Sequence, residues 1–227
     1  MTDLRSRLKL ESGKNQLQLI QELASSGDDG LEAVMDFLLE RKNGAVSPIE
    51  GKAYQVLRTA ETSRTNDFLS THFPQGIVPL RSERGIDYAP LQTLLGQQDF
   101  EVADRLTLEK MCQLAGETAS KRKWIYFTEV ENFPSTDLQT INTLWSVYSE
   151  GKFGFSVQRE IWLSVGKNWD RLWDQIGWRT NNNWTRYPQG FTWDLTAPRG
   201  HLPLSNQLRG VRVIASLLTH PAWTTGA

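Results

Sequence analysis

The chain has 227 residues and balances 25 Lys and Arg against 26 Asp and Glu, a net charge of −1. This balance excludes the global basic excess that a duplex-binding surface needs to displace counterions. A single cysteine, Cys112, excludes a disulfide framework and a Cys-rich metal site. No apolar run approaches the ~20 residues that span a bilayer. The first residues carry no apolar signal core and no transit character, so a soluble protein of a reducing compartment is expected. All nine Trp lie at or beyond Trp124.

The first 80 or so residues read as short helices. Leu17, Leu19, Ile20 and Leu23 form an apolar stripe over residues 14–25, closed by the breaker Gly27-Asp28-Asp29-Gly30. Leu31, Val34, Met35, Leu38 and Leu39 repeat at helical spacing up to Asn43-Gly44. Ser47, Pro48 and Glu50 have the order of a capping box ahead of Ala53, Val56, Leu57 and Ala60. A further helix is predicted over 65–72. The connections suit a small antiparallel helical bundle or a helical-repeat pair that acts as scaffold or docking domain, residues 1–80. Residues 74–85, with two Pro and two Gly, read as a linker.

The second domain is expected over residues 85–227, and the class is all-α. Leu91, Leu94 and Leu95 make one helix, broken at Gly96. Asp99 caps the next, with Val102, Ala103, Leu106, Leu108, Met111 and Leu114 pointing inward. Lys121-Arg122-Lys123 reads as a basic loop and 124–130 as a short extended stretch. Ser135 or Thr136 caps a helix carrying Leu138, Ile141, Leu144, Trp145 and Tyr148, which Glu150-Gly151 stops. Phe153-Gly154-Phe155 is a close-packed turn before a helix with Val157, Ile161, Trp162 and Val165. Trp145, Trp162, Trp169 and Trp173 fall at helical spacings and read as core. Residues 179–203 show no helical period, and a final helix is predicted over 205–218.

Catalytic motifs are missing. The chain holds no Walker-type loop, no G-x-G-x-x-G, no H-E-x-x-H and no G-x-S-x-G. Its three His, at 72, 201 and 220, are far apart in sequence. The 179–203 segment is informative instead. Trp184, Tyr187, Phe191 and Trp193 are residues that disordered segments lack, so it reads as a ligand-clasping loop. From Trp178 onward five Arg (179, 186, 199, 209, 212) face one Asp, Asp194, a local net +4. Arg favours bidentate capture of carboxylate or phosphate. On the last predicted helix Arg209 and Arg212 share a face, with Asn206 one turn earlier. Aromatic rings beside paired Arg admit a flat dicarboxylic amphiphile such as a porphyrin. They also admit single-stranded nucleic acid or a protein-interaction module, although strand binding calls for a longer basic track. A haem protein with His201 as axial ligand is a third reading.

Several blocks carry a resemblance. Phe133-Pro134-Ser135-Thr136-Asp137-Leu138 with Ile141, Leu144 and Trp145 forms one. Gly151-Lys152-Phe153-Gly154-Phe155-Ser156-Val157-Gln158 with Ile161-Trp162 forms a second. Asp87-Tyr88 with Leu91, Ala103-Asp104 with Thr107, and Gly200-His201-Leu202-Pro203 complete the set. Together they resemble the genomes-uncoupled-four family of porphyrin-binding proteins, and the N-terminal helices look like the extra domain of its bacterial members. The resemblance implies a regulatory binding protein and not an enzyme. Its implied fold is an all-helical cupped hand with the porphyrin in the palm. It implies binding of protoporphyrin IX and magnesium protoporphyrin IX, with no catalytic cofactor and no protein-held metal. It implies activation of magnesium chelatase in chlorophyll biosynthesis, through the chelatase's large porphyrin-binding subunit. Carried over by position, Arg209 and Arg212 face the propionates and Asn206 the ring or its metal-bound water. Phe191 and Trp193, with Trp184, belong to the loop over the site. Phe127, Leu138, Ile141, Phe155 and Val157 are expected to line the palm. The expected setting is a monomer of cyanobacterial type in the cytoplasm, touching photosynthetic membranes peripherally, with no nucleic-acid partner.

Overall fold

The computed structural model describes residues 4, 7–8, 10–204 and 211–224. The chain divides into two compact units. One comprises residues 1–78 with Val147–Glu150, the other 79–146 with 151–227.

The first unit is built from α1 (Lys14–Ala24), α2 (Asp28–Glu40), α3 (Pro48–Ala60) and α4 (Ser63–His72). The starts of α3 and α4 have a local cause. Ser47 and Glu50 exchange a full capping box, with the Ser47 side chain accepting from the Ile49 N–H and Pro48 in the first turn. Thr62 caps α4 by accepting the Thr65 N–H at 3.1 Å. α1 packs on α2 and α3, and α4 packs on α2 and α3. The apolar stripes meet at Ile20, Leu23, Val34, Ala53 and Leu57, which have no exposed surface. Each of the four larger side chains contributes roughly 1.5–3 kcal/mol of burial. Gly51 permits a close approach, since a Cβ there would lie 2.0 Å from the Val147 carbonyl oxygen.

The second unit runs α5 (Ala89–Gly96), α6 (Phe100–Ala115), α7 (Glu117–Arg122), α8 (Phe127–Val130), α9 (Ser135–Tyr148), α10 (Phe155–Ser164) and α11 (Trp169–Gln175). A two-stranded hairpin follows, β1 (Arg179–Thr180) and β2 (Asn183–Trp184), then α12 (Arg212–Thr219) and a 3-10 turn at Pro221–Trp223. The all-α class holds with this hairpin as its exception among the described residues. Two expectations are corrected. Residues 124–130 are not extended but close into α8 in their second half, with Glu129 accepting the Tyr126 N–H at 2.7 Å. Lys121 and Arg122 belong to the last turn of α7, and only Lys123 leaves it, in the left-handed region. Residues 205–210 of the expected last helix lie outside the described residues, and helix is described from Arg212.

Trp145 occupies the centre of this unit with no exposed surface. It stacks on Phe100 at 6.0 Å, meets Phe153 edge-on at 6.3 Å and donates its indole N–H to the Thr107 hydroxyl at 2.9 Å. Asp137, in the first turn of α9, accepts from the Ser82 hydroxyl, the Glu83 N–H at 2.9 Å and the Tyr88 hydroxyl at 2.9 Å. It thereby fixes the stretch ahead of α5. Gly154 takes a φ of 124° that side chains avoid, and a Cβ there would sit 2.8 Å from Asn142 Oδ1. That oxygen accepts the Ser156 N–H at 2.9 Å and starts α10. α10 packs on α11 and α12, and α12 packs on α8.

Candidate functional site

Within the second unit α6 walls a cavity of about 700 Å³. That volume falls in the range of roughly 300–1,000 Å³ typical of small-molecule sites. Asp104, Arg105, Leu108, Glu109, Cys112 and Gln113 line it from α6. Their spacing of one and four residues puts them on one helical face. Ser120 and Lys123 face it from α7 and its end, Tyr187 from the long loop, and Leu204 from the loop's far end. The helix was expected to turn Val102, Leu106 and Leu108 inward. Only Ala103, Met111 and Leu114 of its expected core positions are buried, and Leu108 looks onto the cavity.

The cavity carries both signs of charge. Arg105 is exposed and holds Glu101 at 3.2 Å, while Lys123 is exposed. Asp104 is buried and accepts the Leu204 N–H at 2.6 Å. Burial pushes its carboxyl up to about 7, against the opposing effects of that N–H and of Arg105. Burial also pushes the Cys112 thiol up to about 11.

The loop behind Tyr187 is ordered by rings and hydrogen bonds in place of a helical period. Tyr187 meets Trp193 edge-on at 5.9 Å and leans on Phe191, which packs on His201 at 5.0 Å. Trp193 donates to the Pro188 carbonyl at 3.0 Å. His201 is buried, with Nδ1 2.6 Å from the Ile176 oxygen and Nε2 3.2 Å from the Thr192 nitrogen, whose N–H it accepts. This pairing puts the ring proton on Nδ1, and burial holds the imidazole below its usual range. Both ring nitrogens are engaged, which opposes the reading of His201 as an axial ligand. Trp178 donates to the His201 carbonyl at 2.8 Å and stacks on Trp173 at 5.4 Å and 5°. Trp173 continues to Trp169 and Trp169 to Trp162. Gln158 clamps the loop's end by donating to the Gly200 and Pro203 carbonyls at 3.0 and 2.9 Å.

The expected site residues fall in separate places. Arg212 is exposed on α12 with its guanidinium 5.4 Å from the Phe127 ring centre. Asn206 and Arg209 lie outside the described residues. Leu138, Ile141 and Phe155 have no exposed surface and Val157 only 6%, so these four pack the core and do not line an open palm. Phe191 is likewise buried, whereas Trp184 is half exposed. Two of the five Arg behind the local +4 are committed internally. Arg179 bonds Asp170 and Asp174, and Arg199 bonds Glu160. None of the nine described carried-over residues is among those that line the cavity, whose α6 wall reads in the sequence as ordinary helix. The available signal was polar Asp104, Thr107 and Lys110 at buried positions of an otherwise amphipathic helix.

The GUN4-like family profile matches residues 81–221, and the profile described as ARM-like repeat domain, GUN4-N terminal, matches residues 1–74. A Ycf53-like protein of Synechocystis sp. is 52% identical over 229 residues, covering 99% of this chain and 97% of its own. A chloroplastic tetrapyrrole-binding protein of Arabidopsis thaliana is 40% identical over 144 residues, 60% of this chain and 54% of its own. The solved structure of GUN4 from Chlamydomonas reinhardtii aligns with a TM-score of 0.61 at 42% identity, covering 65% of this chain and 94% of that one.

Proposed function

Because this chain belongs to the GUN4-like family, we propose that it binds a tetrapyrrole, specifically protoporphyrin IX and its magnesium complex. We further propose that it activates magnesium chelatase in chlorophyll biosynthesis together with the chelatase's large porphyrin-binding subunit. The observation that carries the reading is the cavity of about 700 Å³ on α6, with Arg105 and Lys123 among its lining residues. Its Leu108 and Tyr187 offer apolar wall to a macrocycle, and the two cations suit propionates. Arg212 over Phe127 and, in the sequence after Leu204, Asn206 and Arg209 supply further polar groups toward the same ligand. Trp184 and Trp193 act through the loop that carries Tyr187.

In this reading residues 85–227 form the porphyrin domain and residues 1–80 a docking bundle. The protein works as a carrier and not as an enzyme, a monomer of the cytoplasm that meets photosynthetic membranes peripherally. The ion pairs of Arg179 and Arg199 shorten the basic track further and weigh against nucleic acid.

Titration with protoporphyrin IX should quench Trp fluorescence and shift the Soret band, and the magnesium complex should do the same. A folded protein that does neither refutes the proposal. Arg105→Ala with Lys123→Ala should weaken binding by ~1.5–3 kcal/mol for each lost charge-assisted contact. Adding the protein to purified chelatase subunits tests the activation separately.

A further inference from the structure

A carboxylate on a cavity wall is costly when no cation or set of donors accompanies it into the low dielectric. Asp104 is 4% exposed. Its described hydrogen bond is the one Leu204 N–H, at 2.6 Å. The neighbouring guanidinium of Arg105 is turned to Glu101. Among the described residues, the other charged and titratable groups around the cavity are Glu109 and Cys112 on α6, Lys123 after α7 and Tyr187 from the loop. Burial raises both the Cys112 thiol and the Tyr187 hydroxyl, so neither changes charge near neutrality. Burial also brings Asp104 to about 7, so it changes charge in the middle of the physiological range. The protonated acid keeps its carbonyl oxygen as an acceptor for Leu204, so the tether survives the change.

We propose that Asp104 couples ligand loading to a proton: a carboxylate-bearing ligand enters the cavity as Asp104 takes up one proton, so anionic ligands bind more tightly as pH falls. The physical cause is the like charge a dianionic guest would otherwise meet in a water-poor site. The inference rests on the cavity being the tetrapyrrole site. Proton-coupled loading makes the affinity of the carrier respond to the pH of its compartment and lets the ligand leave as pH rises.

The test is titration of the full chain with protoporphyrin IX at about pH 6 and about pH 8, read by Trp quenching, alongside Asp104→Asn. The Asn side chain keeps an oxygen for Leu204 and cannot take the charge. Titration of the ligand's own propionates affects both proteins alike, so the ratio of their affinities is the readout. The two should bind equally near pH 6, and the variant about tenfold more tightly near pH 8. A ratio that stays constant across this range overturns the inference. Calorimetry of the wild type near pH 7.5, in two buffers of different ionisation heat, reads the proton without any variant. Uptake approaching one proton per ligand is expected, and zero uptake overturns the inference. A folded wild type that binds no porphyrin at either pH refutes the assignment of the cavity itself, and the coupling with it.

Discussion

Replacing Asp137 by Ala should unfold the second unit at a markedly lower urea concentration. The carboxylate has no exposed surface and accepts from the Ser82 hydroxyl, the Glu83 N–H and the Tyr88 hydroxyl. Its position in the first turn of α9 lets the helix macrodipole favour its charge. A hydrogen bond to a charged acceptor is worth ~1.5–3 kcal/mol. Glu83 is exposed and Ser82 half-buried, so both recover part of that from water, whereas the Tyr88 hydroxyl belongs to a residue only 1% exposed. The sum is a loss of about 3–5 kcal/mol for Asp137→Ala. Asp137→Asn keeps one acceptor oxygen but turns an amide toward a donor, for a loss of about 2 kcal/mol. Trp fluorescence reads this unit alone, because every Trp lies at or beyond Trp124, within it. The urea midpoint should fall with its slope unchanged. A loss below ~1 kcal/mol for Asp137→Ala, the range of an ordinary surface change, would refute the reasoning that this carboxylate fastens the segment before α5, which itself packs on the cavity helix α6.

Other outcomes follow from single contacts. Thr107→Val strips the Trp145 indole of its acceptor and should cost ~1–3 kcal/mol in the same urea assay; no loss would mean the indole finds another partner. Gly51→Ala places a Cβ 2.0 Å from the Val147 oxygen and should destabilise the first unit by about 3 kcal/mol or more. That loss should appear in far-UV circular dichroism while Trp fluorescence stays silent, and a wild-type melt would reject the close approach. The His201 and His220 imidazoles are held below their ordinary range by burial. The unfolded chain therefore takes up protons first, so their stabilisation is complete above about pH 6.5 and is lost as pH falls through the folded values. His201→Gln should flatten part of that acid loss, and an unchanged stability–pH curve would remove His201 from it.

Where local chemistry decides the structure, the sequence was legible. Ser47, Pro48 and Glu50 announce α3, and Asp99 announces α6 by capping the Val102 N–H. The misreadings share a cause. α8 has only four residues and owes its start to Glu129, so no apolar period advertised it. The hairpin Arg179–Trp184 was hidden in a run of Asn, yet Asn181 and Asn182 both take positive φ, the backbone a tight two-residue turn demands. The candidate site was least legible. Leu138, Ile141 and Phe155 belong to well-patterned helices, and periodicity alone does not separate a ring that fills the core from one that walls a cavity. The cavity exists because α6 meets chain about 80–100 residues away, at Tyr187 and Leu204. Likewise the charge count did not show that Arg179 and Arg199 are already committed to Asp170, Asp174 and Glu160.

The stack from Trp162 through Trp169 and Trp173 to Trp178 has a spectroscopic consequence. Indoles fixed face to face at these separations share their electronic transitions, so circular dichroism in the intense short-wavelength indole band should carry an exciton signature of this one place. Trp178 is tied by hydrogen bond to the His201 backbone, and His201 supports Phe191 beneath Tyr187. Movement of the Tyr187 loop therefore has a direct route to that signature. The chain carries an intrinsic optical gauge of its loop, one that needs no added label and is separate from the overall quenching of its fluorescence.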